Sequence, residues 1–446
     1  MSNKSAAGDV NVGHHAGDRD VNFAEDGVIR SVTRTFAADP TTAIEQKFYM
    51  SLTVKPIGTD ASELFRYNAD GTMDHDFPRV QITAINEEMS AVIDIQRLIF
   101  SQPKGKSGAA STAGTITCVG VTRALVRTGD EGSTGIYYYP AAVRITAEGK
   151  MDQTFGTKGV MLYKFGKERD GSGNKPDEQS APFNSYPGTL QSGGDSLFCC
   201  GLLDQKVNRY AFALVKFKND GLPDLSYGDR GVNVIAKATD SNAAHWKDYG
   251  VDAAGDLTLV GATSTWDAGI VTRYGADGEV DTTYGPNHDG TQTLKINGLN
   301  SYINQIHVSE EGATTLLFAV DSLDTPVAVV RLVKSGEQDP QFNDGKPVLI
   351  GDIEKDNVRL AVDRNERIVV SGESLTSPGV ARVVRLASNG TPDTSFGNSG
   401  VNEYPTLTPF SRVVIQNQSD ILAVTVDRTW VDVPVIVRLF GESVEG

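Results

Sequence analysis

The chain of 446 residues has no apolar run near the roughly 18 residues that a membrane helix requires, so no membrane insertion is expected. Its opening, "MSNKSAAGDVNVGHHAGD", has no apolar core for a signal peptide, which predicts a cytoplasmic protein or one exported without a cleavable signal. Basic charge is in deficit: 41 Lys and Arg face 57 Asp and Glu, and the net charge of -16 repels phosphate backbones, so no nucleic-acid partner is expected. Cysteine is scarce. Cys118, Cys199 and Cys200 fall in predicted strands, where a thiol acts as a small apolar side chain, and an odd number gives no disulfide framework. The six histidines are scattered and no Cys or His cluster has zinc spacing, so neither metal nor cofactor is expected.

Catalytic motifs are equally thin. No Gly-x-Ser-x-Gly elbow occurs. The "GKS" at residues 105–107 lacks the earlier glycine of a phosphate-binding loop. "DRDVNF" from Asp18 begins like a calcium loop, but Phe23 stands where glycine is needed and no Glu closes it.

What the chain has is glycine, 46 of them, between runs of β-branched and aromatic residues that read as strands. It also has one phrase, written repeatedly. "RYNADGTMDHDF" from Arg66, "RITAEGKMDQTFGTKGV" from Arg144 and "KFKNDGLPDLSYGDRGV" from Lys216 share a grid with "RYGADGEVDTTYGPNHDG" from Arg273, "RLVKSGEQDPQFNDGKPV" from Arg331 and "RLASNGTPDTSFGNSGV" from Arg385. Each basic residue is followed five positions on by Gly, eight on by Asp and eleven on by Phe or Tyr. A seventh copy is split between the ends: "VIVRLFG" around Arg438 has the basic strand without the Asp, and "GDRDVNFAEDGV" has Asp20 and Phe23 without the strand.

Successive aspartates lie 54 to 78 residues apart, room for four short strands per repeat. In the repeat ending at Asp393 these are read at residues 348–350, 358–362, 368–371 (ended by Gly372) and 381–386. Four-stranded units repeated radially make a β-propeller. The expected fold is all-β, a seven-bladed β-propeller of four-stranded blades, its ring closed by an N-terminal outer strand joining the C-terminal strands. Residues 1–16 are expected to be a flexible tail and residues 17–446 a single domain. The phrase RLxxxGxxDxxFGxxGV resembles the delta-60 repeat, a bacterial β-propeller family without an assigned function, and the resemblance covers nearly the whole chain.

The basic strand is apolar on both sides of its cation, which predicts a strand sandwiched between blades with the Asp as counter-ion or turn cap. The expected scaffold pairs are Arg66 with Asp74, Arg144 with Asp152, Lys216 with Asp224, Arg273 with Asp281, Arg331 with Asp339, Arg385 with Asp393, and Arg438 with Asp20. A device needed seven times is scaffold; a catalytic site is needed once.

Function is therefore expected where the copies stop agreeing. The connections between second and third strands share one face with those between blades. Trp246, Trp266 and Trp430 map there, as do the insertions at residues 122–140, with Tyr137 and Tyr138, and 165–187, with Tyr186. Aromatic side chains on loops above a rigid frame offer large contact area at low entropy cost. These six residues are the candidate ligand site of a monomeric, non-catalytic binding module whose partner is a carbohydrate or a protein. The alternatives are a hydrolase or lyase working at the ring's central channel, where inner strands offer His307 and Asp363, or a structural or secreted surface module.

Overall fold

The computed structural model describes residues 14–24, 27–30, 41–42, 47–54, 61–82, 93–101, 114–128, 133–162, 191–193, 196–205, 209–228, 231–237, 245–416, 418–428 and 434–444. The described residues are all-β: seven four-stranded antiparallel sheets, with one short 3-10 turn at Asn343–Gly345. None of these sheets closes on itself.

In the first six sheets, numbered in chain order, each strand pairs with the next along the chain. The fourth is His245–Val251, Leu257–Ala262, Gly269–Tyr274 and Thr291–Leu294; the fifth is Ser301–Val308, Thr314–Val320, Val327–Leu332 and Val348–Ile350; the sixth is Arg359–Val362, Ile368–Glu373, Ala381–Leu386 and Val401–Tyr404. The second strand of the sixth runs through Gly372 rather than ending there. The seventh sheet is composite: Arg412–Gln416, Asp420–Val426 and Pro434–Leu439 take their outermost partner, Ile29–Arg30, from the other end of the chain.

Apolar side chains from both faces of the strands fill the spaces between neighbouring sheets. Between the fourth and fifth, Val260, Val271 and Tyr284 pack on Ile303, Leu316 and Phe318. Between the seventh and first, Phe23, Ile29, Leu422 and Ile436 pack on Phe48, Phe65 and Tyr67. Two-sided burial is why the middle strands read as continuous apolar runs: Leu257–Ala262 and Thr314–Val320 are buried throughout.

The recurring phrase interlocks these sheets. Its Asp has one role in all seven copies, an Oδ1 that accepts the amide two residues on: Asp20 from Asn22, Asp74 from Asp76, Asp152 from Thr154, Asp224 from Ser226, Asp281 from Thr283, Asp339 from Gln341 and Asp393 from Ser395. Its pairing with the cation is graded. Arg66 to Asp74 is 2.6 Å, Arg385 to Asp393 is 2.8 Å, and Arg438 Nε to Asp20 is 2.9 Å. Arg273 to Asp281 is 3.3 Å, Lys216 to Asp224 is 3.7 Å and Arg331 to Asp339 is 4.0 Å. The expected pair of Arg144 and Asp152 is corrected by the structure: Arg144 Nε turns to Thr117 Oγ1 at 3.1 Å and its Nη2 to Asn219 Oδ1 at 3.1 Å, leaving Asp152 to cap its turn.

Each cation also reaches the carbonyl three residues past the cation of the next copy. Arg66 reaches Ala147, Arg144 reaches Asn219, Lys216 reaches Ala276, Arg331 reaches Ser388, Arg385 reaches Gly441 and Arg438 reaches Ala69. Arg273 is the exception, drawn instead to Asp252 at 2.7 Å and Asp256 at 2.9 Å. The aromatic residue of one copy lies against the glycine of the next at Gly71, Gly221, Gly278, Gly336 and Gly390, whereas Gly149 faces Pro78. A Cβ on Gly336, whose φ is 91°, would lie 2.8 Å from the Tyr284 ring. The phrase is thus glycine-bearing where a neighbouring ring must approach and polar where a neighbouring backbone needs a donor.

Candidate functional site

The first strand of each sheet differs from the second. Arg359–Val362 is partly exposed at every residue, as are Arg412–Ile415 and residues 304–308 of Ser301–Val308, on both sides of the strand. First strands of successive sheets touch one another: His245–Val251 meets Ser301–Val308, which meets Arg359–Val362, which meets Arg412–Gln416. Water therefore reaches a line of inner strands, and the strands begin together at the end where second strands turn into third.

At that end an aromatic cluster is built from two sheets. Trp266 occupies the turn after Leu257–Ala262, with its amide 2.9 Å from the Thr263 carbonyl. The turn is stiffened by Asp267, whose carboxylate takes the hydroxyls of Thr263 at 2.7 Å and Thr265 at 2.5 Å and the Lys295 ammonium at 2.8 Å. Lys295 and the two hydroxyls hold that carboxyl well below the usual range. Trp266 is 40% exposed. His245 stacks on it with centroids 4.5 Å apart, and Tyr302, at the start of the fifth sheet, meets it edge-on at 5.3 Å.

A β-bulge adds a cation. The register of His245–Val251 shifts between Trp246 and Asp248, so Lys247 is the unpaired extra residue. Its ammonium lies 4.9 Å from the Trp266 centroid and 5.6 Å from that of Tyr302, within cation–π range of both. The same shift in the fifth sheet leaves Asn304 unpaired, with its amide 3.3 Å from the Lys355 carbonyl. Asp248 accepts the Ile306 amide at 3.1 Å and Gln305 accepts the Leu360 amide at 2.7 Å, so the inner strands are tied across sheets. Burial, helped by the charges of Asp356 and Glu354, raises the Tyr302 phenol and keeps it protonated.

Trp266 carries a φ of 59°, a left-handed conformation that is an outlier for so bulky a side chain. Glycine would occupy it at less cost. Backbone strain of this kind, of order 1–3 kcal/mol, persists where surrounding structure enforces it and clusters at binding sites.

The other expected residues separate. Trp246 lies inside the first strand of the fourth sheet rather than between sheets, and packs on the cluster of Leu214, Tyr249 and Leu259 with its Nε1 buried and without an acceptor among the described residues. Tyr137 and Tyr138 lie within a strand: Ser133–Thr146 pairs with Thr115–Thr128, and the two tyrosines stand opposite Ala124 and Arg123. Trp430, Tyr186 and the 165–187 insertion lie outside the described residues. Asp363 caps its turn, accepting the Asn365 and Arg367 amides at 2.9 Å, and pairs with Arg367 at 2.6 Å. His307 lies toward the other end of its strand, and burial, with the nearby Arg331 charge, lowers its pKa and keeps it neutral. Among the described residues no group of three His, Cys, Asp or Glu is arranged to hold a metal. His245, Lys247 and Tyr302 carried no signal in the sequence, because a bulge and a neighbouring sheet bring them to Trp266.

Residues 365–396 match the model of a β-propeller domain of unknown function, DUF5122; this stretch includes the Arg385 to Phe396 grid. No curated protein matches the chain. Among solved structures it is similar to an ulvan lyase from a new polysaccharide lyase family (10% identity, TM-score 0.44, 96% of this chain and 98% of that one). It is also similar to a Dyadobacter fermentans protein of unknown function (11%, 0.43, 93% and 97%) and to the BP39L lectin of Burkholderia pseudomallei (11%, 0.42, 92% and 98%). Likeness at this level identifies neither a ligand nor a reaction.

Proposed function

We propose that the chain is a single-domain, seven-bladed β-propeller, closed where Ile29–Arg30 joins the C-terminal strands, that binds a carbohydrate without altering it. Binding takes place at the mouth formed by His245, Lys247, Trp266, Tyr302 and Asn304. Support for closure comes from the strand pairing Ile29 to Ile436 and from the reach of Arg438 to Ala69.

The observation that carries the binding reading is Trp266: half-exposed, strained and braced by a fully bonded turn. An indole held rigidly at a solvent-filled mouth offers an apolar ring for the C–H face of a sugar, and its ordering is complete before the ligand arrives. The neighbouring ammonium, phenol and amide supply partners for hydroxyl groups. Asp363 is tied to Arg367 and to two backbone amides, which takes one of the two residues named for the enzymatic alternative out of play.

The test is a panel of oligosaccharides followed by tryptophan fluorescence, with the saccharide recovered and analysed by chromatography. The expected result is quenching with some members of the panel, lost in Trp266→Ala, and an unchanged saccharide. Cleavage of the saccharide, or binding that Trp266→Ala leaves intact, overturns the reading.

A further inference from the structure

Beyond the aromatic mouth, the same end of the molecule holds aliphatic side chains out to solvent. The turns joining second to third strands in the fourth, fifth and sixth sheets each present one large apolar residue: Trp266, Leu323 and Leu375. A further one, Leu299, lies between the fourth and fifth sheets, after an Asn297–Gly298 pair whose φ values of 51° and 75° make a tight turn. Leu323 is 95% exposed, and Leu299 and Leu375 match Trp266 at 40%. Exposed leucines scattered singly need no explanation, but these residues are neighbours. Lys295 ties the connection between the fourth and fifth sheets to the Trp266 turn through Asp267 at 2.8 Å, and the Asn300 carbonyl of that connection accepts the Asp321 amide of the Leu323 turn at 2.8 Å. The next connection, residues 351–358, bridges the two leucine turns. A Cβ on Gly351 would lie 3.0 Å from the Asp324 carbonyl, while the Leu375 amide donates to the Asp352 carbonyl at 3.1 Å and the Glu354 amide to the Glu373 carbonyl at 2.8 Å.

The arc is rigid. Each turn is braced by a hydroxyl near its start: Thr263 Oγ1 accepts the Ala268 amide at 3.3 Å, Ser322 Oγ the Thr325 amide at 3.1 Å and Ser374 Oγ the Ser377 amide at 3.2 Å. Apolar side chains presented on fixed backbone leave little ordering to be lost on binding. The border of the arc is acidic. Its cations are engaged: Lys295 with Asp267, Lys355 with Asp321 at 3.5 Å, Arg382 with Glu403 at 2.8 Å, Arg428 with the Gly379 carbonyl, and Lys247 with the rings of Trp266 and Tyr302. Asp324, beside Leu323, and Glu354 and Asp356, on the connection between the leucine turns, pair with no cation among the described residues. That charge selects among occupants. A second copy of the chain would bring the same acids, and a net charge of -16, against themselves, and an anionic lipid surface would be repelled. A saccharide matches the indole but not three aliphatic side chains. A protein segment with apolar residues flanked by Lys or Arg matches both the leucines and the carboxylates.

We propose that Leu299, Leu323 and Leu375, with Trp266 at one end, form a docking surface for a basic, apolar segment of another protein, an interaction beyond saccharide binding. Leu323 is its main apolar anchor, and Asp324, Glu354 and Asp356 set its preference for a cationic partner.

The probes are short fluorescein-labelled peptides of leucine and lysine, one with leucine at helical spacing and one with leucine and lysine alternating, titrated against the full chain by fluorescence anisotropy. Leucine–glutamate and serine–lysine versions are the controls. At least one leucine–lysine peptide is expected to bind, with affinity falling as salt rises from about 50 to about 300 mM, and neither control is expected to bind. Leu323→Ser is expected to weaken binding roughly tenfold and Asp324→Asn by less, with the melting curve unchanged because both side chains stand in solvent. Leu375→Ser is the second variant. Binding that both leucine variants leave intact, equal binding of a leucine–glutamate peptide, or no binding of any leucine–lysine peptide overturns the proposal. So does a dimer in sedimentation, or attachment to phosphatidylcholine vesicles, that Leu323→Ser abolishes: the first assigns the arc to a second copy of the chain, the second to a membrane. Tryptophan quenching by saccharide is expected to survive Leu323→Ser, so the docking surface and the carbohydrate reading fail separately.

Discussion

At the scale of single residues, Arg385 and Asp393 separate two roles that the repeat combines. Every copy keeps the turn cap, whereas the ion pair is close in some and absent in the second. Arg385 is wholly buried, with Asp393 on its Nε, the Gly441 carbonyl on Nη1 and Ser395 on Nη2. Asp393→Ala therefore orphans a buried cation and is expected to cost about 3 kcal/mol in urea unfolding, while Asp152→Ala removes a cap and a more distant charge that Arg144 feels without contact, and costs about 1 kcal/mol. Equal costs would place the whole effect in the turn. The sign of the pH dependence follows from the same site. Burial opposes ionisation of Asp393, but the Ser395 hydroxyl, the Arg385 charge and the Ser395 amide outweigh it, so its folded pKa lies below the unfolded value. Asp74, Asp224 and Asp281 shift in the same direction. Their stabilisation is complete above the ordinary carboxylate pKa of about 4 and is lost as pH falls through the folded values. Melting temperature is expected to hold from neutral pH to about 5 and to drop steeply below about 4, less steeply in Asp393→Asn.

At the scale of elements, the sequence shows what repeats and hides what departs from it. The grid of Arg, Gly, Asp and aromatic is local, so its strand, turn and ring positions can be read from spacing. Trp266 was also legible, since its place in the repeat puts it on a turn. Lys247 and Tyr302 were not: one depends on a register shift and the other belongs to the next sheet. The carbonyls that accept the repeat cations were hidden for the same reason, because a backbone acceptor in a neighbouring copy leaves no mark in residue type. The positive φ of Trp266 makes a test that divides stability from function. Trp266→Gly loses contacts with His245 and Tyr302 but relieves about 1–2 kcal/mol of left-handed strain. Its unfolding free energy is expected within about 1 kcal/mol of wild type, below the usual cost of deleting a packed aromatic, and saccharide binding is expected to vanish. A loss of about 3 kcal/mol or more would show that the indole is there to pack its loop.

At the scale of the whole molecule, the seventh sheet makes the ends of the chain interdependent. Residues 14–30 supply the Asp20 cap and counter-ion, the Phe23 ring and the outer strand to a sheet whose other strands begin at Arg412. His14 and Val444 exchange backbone hydrogen bonds of 3.0 and 2.9 Å, so a short linker can join the two ends. If the seven sheets form one closed ring, what matters is that this sheet is complete, not where the chain is cut. A circular permutant joined across residues 14 and 444 and opened between residues 237 and 245 is expected to melt within a few degrees of wild type. Removing residues 1–30 instead strips Arg438 of its carboxylate and leaves Phe48 without the Phe23 ring that stacks on it. That truncation is expected to lower the melting temperature by more than about 10 °C, because it removes several buried contacts at once. A truncated chain that melts with wild type, or a permutant as unstable as the truncation, would mean that the seventh sheet is not a seam on which the other six depend.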